Sequence, residues 1–142
     1  MIKISKAGKA DIDEILLLQS QIYRVKSLAS NSRKTLENQL GNKACSVLVA
    51  KLDNKIIGTA TIYFIEVAAR GRPYAFLEGL VIGENHRGNG HGTVFFQKCV
   101  EIAKAENCYK MLFTSGMDRK DAHKFYQKLG FKKWGYEFRK DL

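Results

Sequence analysis

Residues 74–93, YAFLEGLVIGENHRGNGHGT, carry an apolar run straight into a loop of glycines and polar side chains, and the loop opens onto a stretch with helical periodicity. Glycine lets the backbone take positive φ and lets another group come close. The first N–H groups of a helix have no intrahelical acceptor, and the helix dipole adds to their attraction for negative charge. A strand that empties into such a loop before a helix therefore reads as a cradle for an anion, rimmed by Arg87, Gly88, Asn89, Gly90, His91, Gly92 and Thr93. A pyrophosphate suits it. No Lys-Ser/Thr pair follows the glycines, as a Walker loop requires, and a full G-x-G-x-x-G fingerprint with an acid on the next strand is missing. Taken alone, the glycine cluster also fits a plain surface turn.

The flanking segments say what the cradle is built into. MIKIS alternates as a short edge strand does, and Asp11 with Glu14 predicts a capping-box start for a helix running toward Tyr23, with Ile12, Ile15, Leu16 and Ile22 on its buried face. A weaker helix covers RKTLENQL. The runs CSVLVAKL and KIIGTATIYFIEV flank Asp53 and Asn54, which tolerate the positive φ of a tight hairpin turn. After the break at GRP, YAFLEGLVI predicts a central strand, and a helix over Gly92–Glu106 carries Phe95, Cys99 and Ile102 on one side. YKMLFTS reads as a further buried strand. Asp118 is placed to cap a last helix, on which Ala122, Phe125, Tyr126 and Leu129 share a face before Gly130 stops it, and FKKWGYEFRK reads as a closing strand. The order predicts an α+β fold: a mixed, mostly antiparallel sheet flanked by helices, with Tyr74–Ser115 as a central right-handed βαβ unit. The ligand site of such a unit lies off the carboxyl end of its first strand.

The 142 residues fit a single domain over 1–142, long enough to bury roughly two thirds of the unfolded surface. A hydrophobic fraction of 45% with 27% charged residues and one proline matches a soluble globular chain. ILLLQSQI is too short to span a bilayer and the first residues lack a signal-peptide layout, so no membrane partner and a cytoplasmic location are expected. Cys45, Cys99 and Cys108 are odd in number and lack metal-ligand spacing, which predicts reduced thiols, no disulfide framework and no metal. A formal net charge of +10 draws phosphorylated ligands, nucleic acid or acidic surfaces.

Two stretches then resemble the signatures of one family. Arg87-x-x-Gly90-x-Gly92 directly after a strand is similar to R/Q-x-x-G-x-G/A, and AHKFYQKLGF from Ala122 to Phe131 is similar to A-x-x-F-Y-x-x-x-G-F, the two hallmarks of the GNAT superfamily of N-acetyltransferases. The resemblance implies acetyl-CoA as co-substrate, its pyrophosphate on the glycine loop and its pantetheine arm paired with the backbone of Val81 and Ile82. It also implies that Tyr126 points toward the sulfur, where a phenol can act as general acid. On spacing alone, Tyr126 belongs to an apolar stripe and reads as a packed ring. Glu78 interrupts an apolar strand, where an unpaired buried charge is costly. It reads either as half of a structural ion pair or as facing the acceptor cleft, binding the amine or taking its proton through a water. Many family members have an asparagine three residues before the alanine of the second motif; here Arg119 stands there and is assigned to a phosphate. His86, His91 and His123 read as solvated side chains.

These readings converge on an acetyl-CoA-dependent N-acetyltransferase that moves an acetyl group by direct transfer to a primary amine of a small molecule. A backbone N–H near Val81 or Ile82 would stabilise the developing oxyanion. A basic protein suits an amino-sugar phosphate, NCYK resembles the glucosamine-phosphate branch of the family, and the segment 27–41 is expected on the acceptor side. Protein or peptide amines and aminoglycosides are alternative acceptors, and a homodimer is compatible with the reading. A rival from another class is a basic nucleic-acid-binding module using Phe131, Trp134, Tyr136 and Phe138 among the terminal lysines, although nucleic acid is not the expected partner. Salt-dependent oligonucleotide binding indifferent to acetyl-CoA separates the two. A third reading is a fold that binds CoA for regulation without turnover.

Overall fold

The pleat of the second strand shows how the sheet is clothed. In the computed structural model, which describes residues 1–22 and 25–142, β2 (Cys45–Leu52) is buried along both faces from Cys45 to Ala50. Val47 and Val49 turn to one face, where they pack with Ile12 and Ile15 of α1 (Ile12–Gln19) and Leu36 of α2 (Ser32–Leu40). Side chains alternate along a strand, so Leu48 and Ala50, each at most 1% exposed, face the other side. Strands β1 (Lys3–Lys6), β2, β3 (Lys55–Val67) and β4 (Arg72–Ile82) pair antiparallel in chain order, and β5 (Met111–Leu112) joins β4 in parallel. Helix α3 (His91–Ala105) makes the crossover and buries Phe95, Phe96, Cys99 and Ala103. The mixed, mostly antiparallel sheet with its βαβ unit is as the sequence predicts.

Local signals set several joints. Asp53 and Asn54 take φ of 48° and 66° between the paired residues Leu52 and Lys55, the two-residue turn of a twisted hairpin. Gly71, with φ of 64°, closes the 3-10 turn Ala68–Arg70 that joins β3 to β4. At the start of β4, Tyr109 N–H donates to the Pro73 carbonyl and Ala75 N–H to that of Lys110, which anchors β5 there.

The structure departs from the sequence reading at the start of α1. Asp11 and Glu14 do not form a capping box with each other. Asp11 Oδ2 accepts from the Gly8 N–H at 2.8 Å and its Oδ1 from Lys51 Nζ at 3.0 Å, while Glu14 Oε2 accepts from the Ile56 N–H. Both acids thus tie the helix start to the sheet, a use that local spacing does not reveal. The helix ends at Gln19, Leu18 joins its buried face, Leu16 and Ile22 are half-buried, and Tyr23 lies outside the described residues. Burial pushes the Asp11 carboxyl up, but the Gly8 and Lys51 bonds outweigh it and hold it below the usual carboxylate value. A depressed folded-state pKa contributes stability above the unfolded value, about 3.9, and that contribution is lost as pH falls through the folded one. Asp11→Asn should therefore lower Tm by about 4 °C at pH 7, for a loss of about 1 kcal/mol, and the gap from wild type should shrink below about pH 3. Thermal melts across pH check this.

Residues 1–112 form one compact unit and residues 113–142 a second. Its helix, α4 (Lys120–Lys128), starts after Arg119 rather than Asp118. It ends in a Schellman pattern: Phe131 N–H donates to the Tyr126 carbonyl, Gly130 N–H donates to that of Gln127, and Gly130 takes φ of 91°. Phe113 sits edge-on to Tyr126 and Phe131, at centroid distances of 4.6 and 5.0 Å. The predicted closing strand is absent: residues 131–142 carry no strand, and Trp134, Tyr136 and Phe138 are at least 90% exposed. An alternating pattern needs a neighbouring ladder, and no strand is assigned within residues 113–142 to supply one. The YKMLFTS strand likewise shortens to two residues. Among the described residues, no helix is long and apolar enough to cross a membrane.

Candidate active site

The end of β4 owes its shape to one extra residue. Thr61 pairs with Glu78 and Thr59 with Val81, so β4 spends three steps where β3 spends two, and Gly79 absorbs the bulge at φ of 62°. Pairing then places Glu78 on the same sheet face as Thr61, Thr59, Val47 and Val49, the face covered by α1 and α2. Glu78 is exposed there, not buried among apolar neighbours. Its exposure removes the premise of a carboxylate buried within an apolar run. An isolated glycine inside a strand is the signal that could have located the bulge.

Beyond the bulge, Val81 and Ile82 are 6% and 8% exposed. The Val81 carbonyl turns toward β3, 3.0 Å from where a Cβ on Gly58 would stand, and Gly83 N–H donates to the Ile57 carbonyl at 2.8 Å. Strand alternation therefore turns the N–H and C=O of Ile82 to the opposite edge of β4. Among the described residues, β5 covers that edge only at Ala75 and Phe76. Of the two strand-end residues named from the sequence, Ile82 is the one with backbone groups facing this edge. Gly58 makes the close packing possible: a Cβ there would come within 2.7 Å of Ile82 Cδ1 and 3.4 Å of the Phe95 ring. Gly58→Ala is expected to cost about 1–3 kcal/mol, a Tm drop of about 4–10 °C. Thermal melts of the two proteins check this.

The loop itself is exposed from Arg87 to Gly90. Gly88 and Gly90 take φ of 80° and 79°, and a Cβ on either would meet nothing within 4 Å. The two glycines are there for backbone direction and leave open space in front of them. Gly90 is the N-cap of α3, and the first helical bond runs from Val94 N–H to its carbonyl. Among the described residues, the N–H groups of Gly88, Asn89, Gly90, His91, Gly92 and Thr93 have no backbone acceptor. Glu84 N–H takes the Gln21 side chain, which braces the preceding turn against the segment after α1. Arg87 folds back so that its Nε donates to the Ile82 carbonyl at 2.8 Å, a contact that sequence spacing did not signal.

Tyr126 and Arg119 belong to the second unit, Tyr126 within α4 and Arg119 as its N-cap. The thiols carry no sign of a covalent role. Burial pushes Cys99 up to about 12; burial also raises Cys45, and burial with Glu106 and Glu66 raises Cys108 against a smaller opposing effect of Arg72. A raised thiol holds little thiolate near neutral pH.

Residues 12–131, through both motifs, match the family model described as acetyltransferase (GNAT) family. The chain belongs to the GNAT acetyltransferase family. GNAT enzymes are acetyltransferases that use acetyl-CoA and an acceptor. It is 30% identical over 89 residues to a glucosamine 6-phosphate N-acetyltransferase of Trypanosoma brucei brucei; the match covers 62% of this chain and 58% of that protein. A putative acetyltransferase from Agrobacterium tumefaciens str. C58 superposes with a TM-score of 0.89 at 26% identity, over 99% of both chains. AAC(6')-Iy, solved in complex with the bisubstrate analog CoA-S-monomethyl-acetylneamine, superposes with a TM-score of 0.83 over 100% of this chain and 99% of that one. At 19% identity this last likeness speaks for the fold. The loop thus presents consecutive N–H groups without backbone acceptors, with open space beside its two glycines.

Proposed function

We propose that residues 1–142 act as one acetyltransferase domain that moves an acetyl group from acetyl-CoA to the primary amine of a small molecule, an amino-sugar phosphate foremost. The observation that carries the reading is the open loop from Gly88 to Thr93 at the start of α3, after the end of β4. The resemblance to a glucosamine 6-phosphate N-acetyltransferase and the net charge of +10 support the acceptor class. The bound co-substrate supplies an activated acyl group as a thioester.

The protein's residues do the rest. The N–H groups of Gly88, Asn89, Gly90, His91, Gly92 and Thr93 hold the diphosphate, and Arg119 adds a guanidinium for a phosphate. The backbone of Val81 and Ile82 receives the pantetheine arm, and Ile82 N–H donates to the acetyl oxygen as negative charge gathers there. Glu78 binds the acceptor and takes the proton of its ammonium, directly or through a water, so that a neutral nitrogen forms the new C–N bond. Tyr126 gives a proton to the sulfur as the C–S bond breaks. No cysteine carries the acyl group, in keeping with three raised thiols. A thiol-release screen over amino sugars and their phosphates, polyamines, aminoglycosides and lysine peptides tests this, with release expected first from the amino-sugar phosphates. Acetyl-CoA that binds yet is consumed with no amine would sink the enzymatic reading.

A further inference from the structure

The Ile82–Gly83 peptide at the end of β4 is held at both polar ends. Its N–H, on Gly83, donates to the Ile57 carbonyl at 2.8 Å, and its carbonyl, on Ile82, accepts from Arg87 Nε at 2.8 Å. A peptide unit is planar, so two bonds pulling in opposite directions fix its rotation. The Ile82 side chain is fixed as well, closed over Gly58. What remains is the Ile82 N–H, turned to the edge of β4 where β5 ends at Leu112.

Arg87 has donors to spare. A guanidinium carries five N–H groups in a rigid plane, and the bond to Ile82 uses Nε alone. Among the described residues, neither terminal nitrogen has a hydrogen-bond partner, and the side chain springs from the first residue of the cradle rim. Such a fork can hold a carbonyl on one edge and a phosphate oxygen on another at once. A lysine, with a single nitrogen on a flexible stem, can reach one or the other without fixing their relation.

We propose that Arg87 is a positioning residue: its Nε holds the Ile82–Gly83 peptide so that Ile82 N–H meets the acetyl oxygen, while its terminal nitrogens bind a phosphate oxygen of the coenzyme. The link couples occupation of the cradle to the geometry of the reacting carbonyl. It rests on the acetyl-transfer reading of the same site.

The test uses the full chain with Arg87→Lys and Arg87→Ala. In the unliganded protein, amide exchange of Gly83 read by NMR should be about tenfold faster in both variants, with the amides of α3 unchanged. With saturating acetyl-CoA and glucosamine 6-phosphate as first probe, Arg87→Lys should lower kcat about tenfold while Kd for acetyl-CoA, by calorimetry, moves less than about threefold. Arg87→Ala should lose on both measures. Unchanged Gly83 exchange in Arg87→Lys overturns the proposal whether or not any amine is acetylated. So does wild-type kcat in a variant whose Gly83 exchange has risen. Faster exchange together with a wild type that acetylates no amine in the wider screen retires the acetyl-transfer reading instead.

Discussion

Gly90→Val is expected to reduce acetyl-CoA affinity at least about a hundredfold, a loss of about 2.7 kcal/mol. Gly90 sits at φ of 79° and ψ of −1° as the N-cap of α3. A β-branched residue held there stores about 1–3 kcal/mol of strain. The added side chain strikes no protein atom, since nothing lies within 4 Å of the position its Cβ would take. The effect must therefore come through the backbone and through the space meant for the guest. If the loop relaxes to negative φ, the N–H groups of Asn89, Gly90 and His91 change direction. If it stays, the valine methyl groups stand in the cradle. Both routes cost binding, and neither touches the core, so Tm should fall by no more than about 8 °C. Asparagine tolerates the left-handed region better than other residues with a side chain, so the loss should rank Asn below Ala below Val. Calorimetry with acetyl-CoA across the three variants checks the ranking. A valine variant that binds as wild type does would remove the cradle from the coenzyme site.

What was legible in the sequence is what short stretches of backbone decide for themselves. Asp53 and Asn54 make a hairpin turn wherever two strands flank them, and Gly130 ends α4 because its own φ allows the Schellman bonds. The glycine loop's backbone is legible for the same reason, because Gly88 and Gly90 take positive φ. The features that escaped depend on partners far along the chain. Asp11 looks like half of a capping box until Lys51, forty residues on, takes its second oxygen. Glu78 looks buried from its apolar flanks, yet it pairs across from Thr61 and stands exposed. Residues 131–140 have the alternation of a strand, but alternation specifies faces and not a partner. Arg87 reads from the motif as part of a backbone loop, and its side-chain bond to the Ile82 carbonyl is not signalled by the spacing.

Tyr126 is where packing and chemistry can be separated most cleanly. Its ring meets Phe113 edge-on at 4.6 Å and Phe125 at 5.8 Å, all within residues 113–142. Tyr126→Phe keeps the ring and removes one oxygen, so the aromatic cluster survives and the stability loss is limited to that of a hydrogen bond, about 1 kcal/mol. A general acid contributes about 100- to 10,000-fold to a rate, so kcat should fall at least about a hundredfold while Kd for acetyl-CoA and KM for the amine stay near wild type. Tyr126→Leu gives up the edge-on contacts too, and should add a Tm drop of about 4–8 °C to the same loss of turnover. The pair of variants distinguishes two roles that the apolar stripe of α4 leaves superimposed. A ring needed only for packing predicts a stable, active phenylalanine variant and an unstable leucine one. A phenol that hands its proton to the sulfur predicts that both are inactive and only the leucine variant melts markedly early. Stopped-flow release of CoA, measured beside thermal melts, decides between them, and a phenylalanine variant with wild-type turnover would strike Tyr126 from the mechanism.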